Sequence, residues 1–273
     1  MLKTIIKRDG TTEPFDPKKV NMWSTWASEE IRDRVDWTTI VMKAVKSCGE
    51  EIKSQELQQL LIKECVRTKK WSYSLMAGRL YNAVVRKEMY GNKMPSVMNL
   101  QFSMMEKGYM KDLGYTVKEY LEIEKIIDHS LDMHMAYFQV KQIVKKYSLS
   151  DRVKKIEYET PQYVFMRMAM ALAMDEKADK KLDLVREFYT YFSSCRINAP
   201  TPNYMNLGTS HNGYSSCCLY VVDDSASSLA IGDHIAYTMT VMSAGIGGLI
   251  NTRSLGDPVR GGIIEHQGRR LPL

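Results

Sequence analysis

The chain has 273 residues, 44% hydrophobic and 26% charged, values that are ordinary for a globular protein large enough to hold two domains. Its formal net charge is +6, with basic residues spread along predicted helices, which favours anionic ligands but supplies no nucleic-acid motif. The sequence shows no signal peptide, no apolar run of membrane-spanning length, and five cysteines without CxxC or zinc spacing. We therefore expect a cytoplasmic protein with no metal site, no membrane partner and no nucleic-acid partner.

Residues 1–91 predict a small domain in which a β-hairpin lies over four helices. Two short strands flank an Asp9-Gly10 turn, and four helical patterns follow, with capping residues such as Asp16. The hairpin brings Lys7, Arg8 and Lys19 near one helix N-terminus, a place that suits a triphosphate. Taken alone, such a basic cluster is more often a solvated surface than a ligand site.

Residues 92–199 predict a helical domain. Thr116 begins a capping box, and Thr160-Pro161 opens a long apolar helix. The many methionines of this region are predicted to fill the core, because no metal-ligand set accompanies them. His129 and His134 do not share a helical face, so both are predicted to be structural.

Residues 200–273 predict a strand, a helix and a second strand. The continuous apolar run at 217–222 indicates a strand buried on both faces. A helix follows over 228–242, with Asp224 as its cap, and a second short strand leaves the glycine-rich turn at 248–251. This order is typical of a βα unit in a parallel or mixed sheet.

Five motifs lie in register within this last region. They are Pro-Thr-Pro at 200–202, Ser-Ser-Cys at 215–217, an acidic turn at 223–225, Ala-Gly-Ile-Gly at 244–247 and Arg-Ser-Leu-Gly-Asp-Pro-Val-Arg-Gly-Gly at 253–262. In this order and spacing they resemble the large (alpha) subunit of class I ribonucleotide reductase. The resemblance implies a mainly α-helical α+β chain: an ATP-cone at 1–91, a helical domain at 92–199, and the opening strands of an incomplete ten-stranded α/β barrel at 200–273.

The resemblance also implies two sites in the last region. Cys217 would be one of the redox-active cysteines that reduce the ribose, although its surroundings alone favour a buried, inert thiol. The residues implied on the substrate nucleotide are Thr201, Ser216, Cys217 and Gly245. Those implied at the allosteric site that selects the base are Asp224, Ser225, Ala226, Arg253 and Arg260.

The segment Lys7-Arg8-Asp9-Gly10, with Glu13, Phe15 and Lys19, resembles the ATP-cone, which controls activity in the same family. The implied activity site comprises Lys7, Glu13, Pro14, Phe15, Asp16, Pro17, Lys18, Lys19, Ser54 and Lys87. Gln58 and Val84 stand where the family commonly has histidines. Valine has no hydrogen-bond donor, so we expect this cone to discriminate poorly between ATP and dATP.

The family resemblance implies an oxidoreductase that converts ribonucleoside diphosphates to deoxyribonucleoside diphosphates for DNA synthesis, by radical chemistry with a redox-active cysteine pair. The family's second redox cysteine, radical-bearing cysteine and tyrosine pair match no segment of these residues. The chain is therefore predicted to be the N-terminal part of a split, phage-type subunit, inactive until a second polypeptide completes its barrel. A stand-alone nucleotide-binding regulatory remnant is the alternative, and a basic nucleic-acid binder is a weaker third hypothesis.

The implied effectors are ATP and deoxynucleoside triphosphates, with no metal in this chain. The implied partners are the C-terminal half of the large subunit as a separate chain, a radical-generating small subunit with a di-iron centre, and thioredoxin or glutaredoxin as reductant. A homodimer of large subunits, formed through the helix at 228–242, is also expected.

Overall fold

The computed structural model describes residues 2–241, 244–252, 263–266 and 269–272. The chain forms two compact units. Unit 1 contains Met1–Ala199 with Leu207–Ser210, and unit 2 contains Pro200–Asn206 with His211–Leu273.

Unit 1 begins with a three-stranded sheet of order β2-β1-β3, formed by β1 (Thr4–Ile6), β2 (Thr12–Pro14) and β3 (Glu51–Lys53). β1 is antiparallel to β2 and parallel to β3. The turn between β1 and β2 is held by Asp9, whose carboxylate accepts a hydrogen bond from the Thr11 amide at 2.9 Å. The predicted hairpin is confirmed. The third strand was not predicted, because three residues between two helices are too few to show a strand period.

Four helices pack with this sheet: α1 (Pro17–Ala27), α2 (Trp37–Lys46), α3 (Ser54–Arg67) and α4 (Trp71–Tyr90). A 3₁₀ turn at Glu29–Arg34 connects α1 to α2. Asp16 caps α1 by accepting from the Lys18 amide, and Asp36 caps α2 by accepting from the Thr39 amide. The hairpin over four helices is therefore present as predicted, and Asp16 caps α1 as the sequence predicts.

The rest of unit 1 is mainly helical. Its helices are α5 (Val97–Glu106), α6 (Val117–Ile126), α7 (Tyr137–Gln142), α8 (Pro161–Ala173) and α9 (Ala178–Ser193). A 3₁₀ turn covers His129–His134, a π-helical turn covers Ile143–Tyr147, and β4 (Ser150–Asp151) pairs antiparallel with β5 (Ile156–Glu157). The predicted capping box at Thr116 is present. α8 is the central helix, since every side chain from 161 to 170 is buried.

Two ionic networks lie inside unit 1. Arg167 of α8 donates from Nε to Glu159 Oε1 at 2.8 Å and from Nη2 to Glu159 Oε2 at 3.1 Å, and both side chains are almost fully buried. Asp132 is also buried and accepts from Arg86 at 3.0 Å and from Gln162 at 3.0 Å. Buried charges of this kind need their partners, because the interior does not solvate a lone ion.

Burial shifts the pKa values of two neighbouring groups in opposite directions. It raises the pKa of Asp132 to about 6, although Arg86 and Gln162 act against this shift. Burial, together with the Arg86 charge, lowers the pKa of His129 to about 4. The raised pKa of Asp132 stabilises the folded state as pH falls from about 6 towards 4, and this contribution is lost as pH rises through 6. The lowered pKa of His129 has the opposite effect, because it destabilises the folded state as pH falls from 6.5 to about 4.

We expect Asp132→Asn to make the chain lose stability more steeply than the wild type on acidification, because the compensating Asp132 proton is then absent. The difference in unfolding free energy between the two proteins should change by on the order of 1 kcal/mol per pH unit between about pH 6 and pH 4. Urea unfolding at several pH values in this range measures it. Asp33→Asn, at an exposed position, is the matched control, and parallel curves for Asp132→Asn and the wild type would contradict the assignment.

Unit 2 contains α10 (Thr201–Asn206), β6 (Cys217–Asp223), α11 (Ala226–Val241) and β7 (Gly245–Asn251), followed by β8 (Ile263–His266) and β9 (Arg269–Pro272). β6 and β7 are parallel, and β8 and β9 are antiparallel to each other. The predicted strand, helix and strand are therefore present. The prediction that the first strand is buried on both faces is wrong, because its side chains alternate between exposed and half-buried, and α11 covers one face only.

Candidate functional site

The structure brings three of the predicted activity-site residues into contact. The Nζ atoms of Lys7 and Lys19 lie 2.8 Å and 2.7 Å from the same carboxylate oxygen of Glu13. Hydrogen bonds from Lys19 and Lys7 hold the pKa of Glu13 below its usual value, and the bond to Glu13 raises the pKa of Lys7. The result is a compact group of two ammonium ions and one carboxylate at the surface.

The sheet and α1 position this group. Lys7 follows β1, Glu13 lies in β2 opposite Ile5, and Lys19 lies in the first turn of α1. The predicted residues between them, Pro14 to Lys18, form the end of β2 and the start of α1. The Phe15 side chain packs against the hydrophobic cluster that contains Ile5, so its role in this structure is packing.

The other predicted residues of this site lie close by in the topology but outside the Glu13 group. Ser54 directly follows β3, and β3 is paired in parallel with β1, so Ser54 begins α3 at the same sheet edge where Lys7 leaves β1. Lys87 donates to Asn92 Oδ1 at 2.8 Å. Its neighbour Glu88 lies 3.9 Å from Arg8.

Arg8, which was predicted to lie with Lys7 and Lys19, forms a second group with Gln58 and Glu88, and Glu88 was not among the predicted residues. Arg8 donates to Gln58 Oε1 at 3.4 Å and approaches Glu88 at 3.9 Å. Val84, the other position where the family commonly has a histidine, is 2% exposed. Gln58 is therefore placed beside a cation of the hairpin, whereas Val84 is a core residue that a dissolved nucleotide cannot reach. In a single sequence, no signal links positions 8, 58 and 88.

A surface depression of about 550 Å³ lies along α1 and shares only Lys18 with the predicted activity site. The residues that line it are Lys18, Asn21, Met22, Thr25, Trp26, Glu29 and Arg32. It is therefore distinct from the group around Glu13, and the depression supplies no support for the predicted nucleotide contacts.

In unit 2, the structure brings Ser216, Cys217 and Gly245 together. Cys217 and Gly245 are register partners at the start of the parallel pair, and the Gly245 amide donates to the Ser216 carbonyl at 2.8 Å. A Cβ on Gly245 would stand 3.4 Å from the Cys217 sulfur and 3.2 Å from the Ser216 oxygen. A side chain here would thus crowd the thiol, and glycine leaves the space beside it open.

The two faces of the β6–β7 pair differ. Strand alternation predicts that Cys218 faces away from Cys217 and packs in the interior, and its sulfur lies 3.4 Å from Met239 Sδ of α11. Tyr220 faces α11 too, since its ring lies 2.9 Å from where Gly232 would carry a Cβ. Successive strand residues alternate, so Cys217 and Leu219 lie on the opposite face, where Leu219 is 84% exposed. In this structure Cys217 is exposed on the uncovered face.

The remaining predicted residues of unit 2 occupy the ends of its elements. Thr201 is the first residue of α10. The chain turns from β6 into α11 through Asp224, Ser225 and Ala226. The Asp223 carboxylate accepts from the Ser225 amide at 2.8 Å, and Ser225 Oγ accepts from the Ser228 amide at 3.3 Å, so Ser225 acts as the helix cap instead of the predicted Asp224. Arg253 and Arg260 lie outside the described residues.

Cys48, Cys65 and Cys218 are less exposed than Cys217, whereas Cys195 is exposed as Cys217 is. Cys65 is buried, and burial raises the pKa of its thiol to about 12, so it is unreactive. Cys48 is half-buried, and burial raises its pKa as well. The helical pattern around Cys195 predicts a core position, and this prediction is wrong because Cys195 is exposed. Within the described residues, no three His, Cys, Asp or Glu side chains are placed to hold a metal ion.

No helix in the described ranges combines the length and the apolar character that a bilayer span requires.

Two domain families match the chain: the ATP cone domain over residues 3–81, and the ribonucleotide reductase, all-alpha domain over residues 133–212. Ribonucleoside-diphosphate reductase 1 subunit alpha of Escherichia coli (strain K12) is 30% identical over 274 residues, which cover 97% of this chain and 36% of that protein. Ribonucleoside-diphosphate reductase subunit alpha of Enterobacteria phage T4 is 28% identical over 277 residues, which cover 98% of this chain and 36% of that protein. The chain thus spans about a third of the length of these relatives.

Proposed function

We propose, from the premise that this chain corresponds to an N-terminal portion of a ribonucleotide reductase alpha subunit, that it supplies a reducing thiol and nucleotide-effector sites to a ribonucleoside-diphosphate reductase. The reaction would convert ribonucleoside diphosphates to deoxyribonucleoside diphosphates. The observation that carries the proposal is Cys217, an exposed thiol next to Gly245 on the face of a parallel strand pair that α11 leaves uncovered.

An α/β barrel would explain why α11 covers only one face of the β6–β7 pair. In such barrels the helices pack outside the strands, so the strand face opposite a helix points to the interior. β6, α11 and β7 have this arrangement, with Cys218 under the helix and Cys217 opposite it. We therefore infer that β6 and β7 are opening strands of the barrel, and that Cys217 points inward once further strands are added. Its exposure in this structure is what an open strand pair requires.

Cys217 would act as one member of a thiol pair. Reduction of the ribose removes the 2′-hydroxyl as water, and two thiols supply two electrons and two protons as they join in a disulfide. Cys218 cannot be the second thiol on the same face, because adjacent strand residues point to opposite sides and its sulfur lies against Met239. The second thiol would come from sequence outside these 273 residues, and thioredoxin or glutaredoxin would reduce the disulfide.

The substrate nucleotide would lie across the start of the strand pair. Gly245 has no side chain to crowd the Cys217 thiol, and the exposed Ser216 directly precedes Cys217 in the chain. These two residues and Thr201 are our proposed substrate contacts. Fixing a thiol on a paired strand limits its motion, which favours reaction at one carbon of the sugar.

The hairpin group around Glu13 is the proposed activity site for ATP and deoxynucleoside triphosphates. Lys7 and Lys19 converge within hydrogen-bond distance of one oxygen, so their ammonium groups already lie close enough to share a single phosphate. Ser54 would contribute a helix N-terminus at the same sheet edge, and Lys87 a further cation.

We expect this activity site to bind ATP and dATP with dissociation constants within about threefold of each other, a difference below about 0.7 kcal/mol. The reason is that Val84 is buried and Gln58 is oriented by Arg8, so no histidine reads the ribose. Isothermal titration of the chain with each nucleotide measures the ratio. Gln58→His should change that ratio, whereas Gln59→His, on the exposed side of α3, should not. A dATP preference above tenfold in the wild type would contradict the expectation.

Unit 2 also supports a proposed dimer contact and specificity site. α11 carries exposed apolar side chains away from its strands, including Leu229, Ile231 and Tyr237. Apolar side chains grouped on an exposed helix face are normally covered by a partner, which supports a homodimer through α11. Asp224, Ser225 and Ala226 at its start, with Arg253 and Arg260, are the proposed specificity site.

The other proposed partners follow from the same function. A radical-generating small subunit with its own di-iron centre would start the reaction, and sequence outside these residues would complete the barrel, whether on a longer chain or on the separate polypeptide predicted above. A reducing cytoplasm suits a chain whose described cysteines are free thiols.

Reconstitution tests the proposal. The chain is combined with the rest of an alpha-subunit sequence and a small subunit, and the conversion of cytidine diphosphate to its deoxy form is measured with and without ATP. We expect product only when all parts are present, and more of it with ATP. ATP binding without any product would instead support the nucleotide-binding regulator, for which the compactness of unit 1 is the favouring observation.

A further inference from the structure

A single segment carries most of the net charge of the chain. Residues 141–157, here called the basic segment, contain six cations and two carboxylates, a net charge of +4, whereas the whole chain has +6. All six cations are exposed: Lys141, Lys145, Lys146, Arg152, Lys154 and Lys155. The expectation that basic residues are spread along helices without forming a block is therefore wrong for this part of the chain.

The base of the basic segment is rigidly anchored. The segment ends in the β4–β5 hairpin, and Glu159, just beyond β5, accepts from the Leu149 amide at 2.8 Å. The same carboxylate is paired with buried Arg167 of α8. The Tyr158 amide also donates to the Leu149 carbonyl at 2.9 Å. The hairpin is thus held against the core helix of unit 1 at its base, and only its tip projects.

The tip has a defined conformation that presents cations. Asp151 accepts from the amides of Val153 and Lys154 at 3.0 Å and 2.9 Å, which closes the turn. Lys155 adopts φ of 56°, a left-handed conformation that glycine or asparagine takes more easily. A lysine at this position carries a strain of about 1 kcal/mol that a glycine would not. The strain supports a role for the charge itself.

An apolar side chain stands among these cations. Val153, between Arg152 and Lys154, is 93% exposed, and Ile156 is 45% exposed. Within the described residues, Lys145 pairs with Glu157 at 2.6 Å and Lys154 approaches Asp151 at 3.9 Å, while Arg152 and Lys155 form no ion pair. The tip therefore offers unpaired cations around one apolar contact point.

We propose that the tip of the basic segment, residues 152–156, is a docking site for an acidic segment of a partner protein. Because the tip is basic, a complementary partner segment should carry negative residues. Because Val153 is exposed among the cations, that segment should also carry an apolar residue between its negative ones. A nucleic-acid backbone is bound mainly through charge, so it would gain little from the exposed Val153 and Ile156 side chains.

The test is fluorescence anisotropy with a labelled peptide of alternating glutamate and leucine, at about 0.15 M salt, where long-range attraction is screened. The variant R152Q/K154Q/K155Q should bind about tenfold more weakly than the wild type. The control K177Q/K180Q/R186Q, which removes the same charge from the exposed side of α9, should change binding by less than twofold. Equal losses in both variants, or no binding by the wild type, overturn the proposal.

Two single variants separate the contribution of a positive charge to peptide binding from that of the apolar side chain. Lys155→Gly should weaken peptide binding two- to threefold while leaving the thermal midpoint unchanged or higher, because it relieves the left-handed strain. Val153→Ser should weaken peptide binding without a change of charge. If a single-stranded oligonucleotide binds more tightly than the peptide, and its binding is lost in R152Q/K154Q/K155Q but unaffected by Val153→Ser, a protein partner is excluded.

Discussion

Replacing Cys217 with serine should abolish ribonucleotide reduction by the reconstituted enzyme, with a loss of at least about 1,000-fold in turnover. Serine keeps nearly the same size but cannot form a disulfide, so the two electrons have no source. The measurement is the amount of deoxycytidine diphosphate formed per enzyme in the presence of a dithiol reductant. ATP binding by the hairpin domain should be unchanged, because Cys217 and Glu13 lie in different compact units.

Two cysteine variants serve as controls for this loss. Cys218→Ser changes the neighbouring residue on the helix-covered face, and Cys195→Ser changes another exposed thiol. Both should retain turnover within a few fold of the wild type if Cys217 alone is the reducing thiol of this chain. Activity in Cys217→Ser, or an equal loss in Cys195→Ser, would contradict the assignment of Cys217 as the reducing thiol.

Arg167→Ala should lower the free energy of unfolding by about 3–5 kcal/mol, the largest expected effect on stability. Arg167 is 1% exposed, and its removal leaves the Glu159 carboxylate buried without its cation. It also removes the donors to the carbonyls of Tyr147 and Leu207. Urea denaturation followed by circular dichroism measures the change.

The matched control is Arg186→Ala on the exposed side of α9, which should change stability by less than about 0.5 kcal/mol. The double variant Arg167→Met with Glu159→Leu should recover a large part of the loss, because an apolar pair of similar volume needs no ionic partner. A loss below about 1 kcal/mol in Arg167→Ala would show that water reaches the pair, and would contradict its buried character.

Helices were predictable from the sequence where local signals agree. Asp16 before Pro17, and Thr116 before Glu119, mark helix starts through short-range hydrogen bonds that depend only on neighbouring residues. The apolar period then sets the helix length, as for α8 after Thr160-Pro161. Such elements need no knowledge of the remainder of the chain.

Features set by distant contacts were not predictable. β3 exists because it pairs with β1, some 47 residues earlier in the register Thr4 to Glu51. Leu219 is exposed because no element of the described residues covers its face of β6. An apolar run in the sequence does not show which faces of a strand are covered. Glu159 and Arg167 are charged residues in and beside an apolar stretch of sequence, and only the fold shows that they form an ion pair.

The candidate sites divide in the same way. The convergence of Lys7, Glu13 and Lys19 follows from a hairpin and a helix start, both of which are local signals. The alternation that separates Cys217 from Cys218 follows from the strand period alone. By contrast, the contact of Arg8 with Gln58 joins residues 50 positions apart, and no local pattern contains it.

The shared oxygen of Glu13 has a consequence for how the hairpin domain selects its ligand. This carboxylate already neutralises part of the charge on two lysines, so an anion that binds at the proposed activity site would have to displace it. A singly charged ion gains little by that exchange, whereas a nucleoside triphosphate brings several charges and a base. If the proposal is correct, Glu13 would act as an internal competitor that disfavours small anions relative to nucleotides.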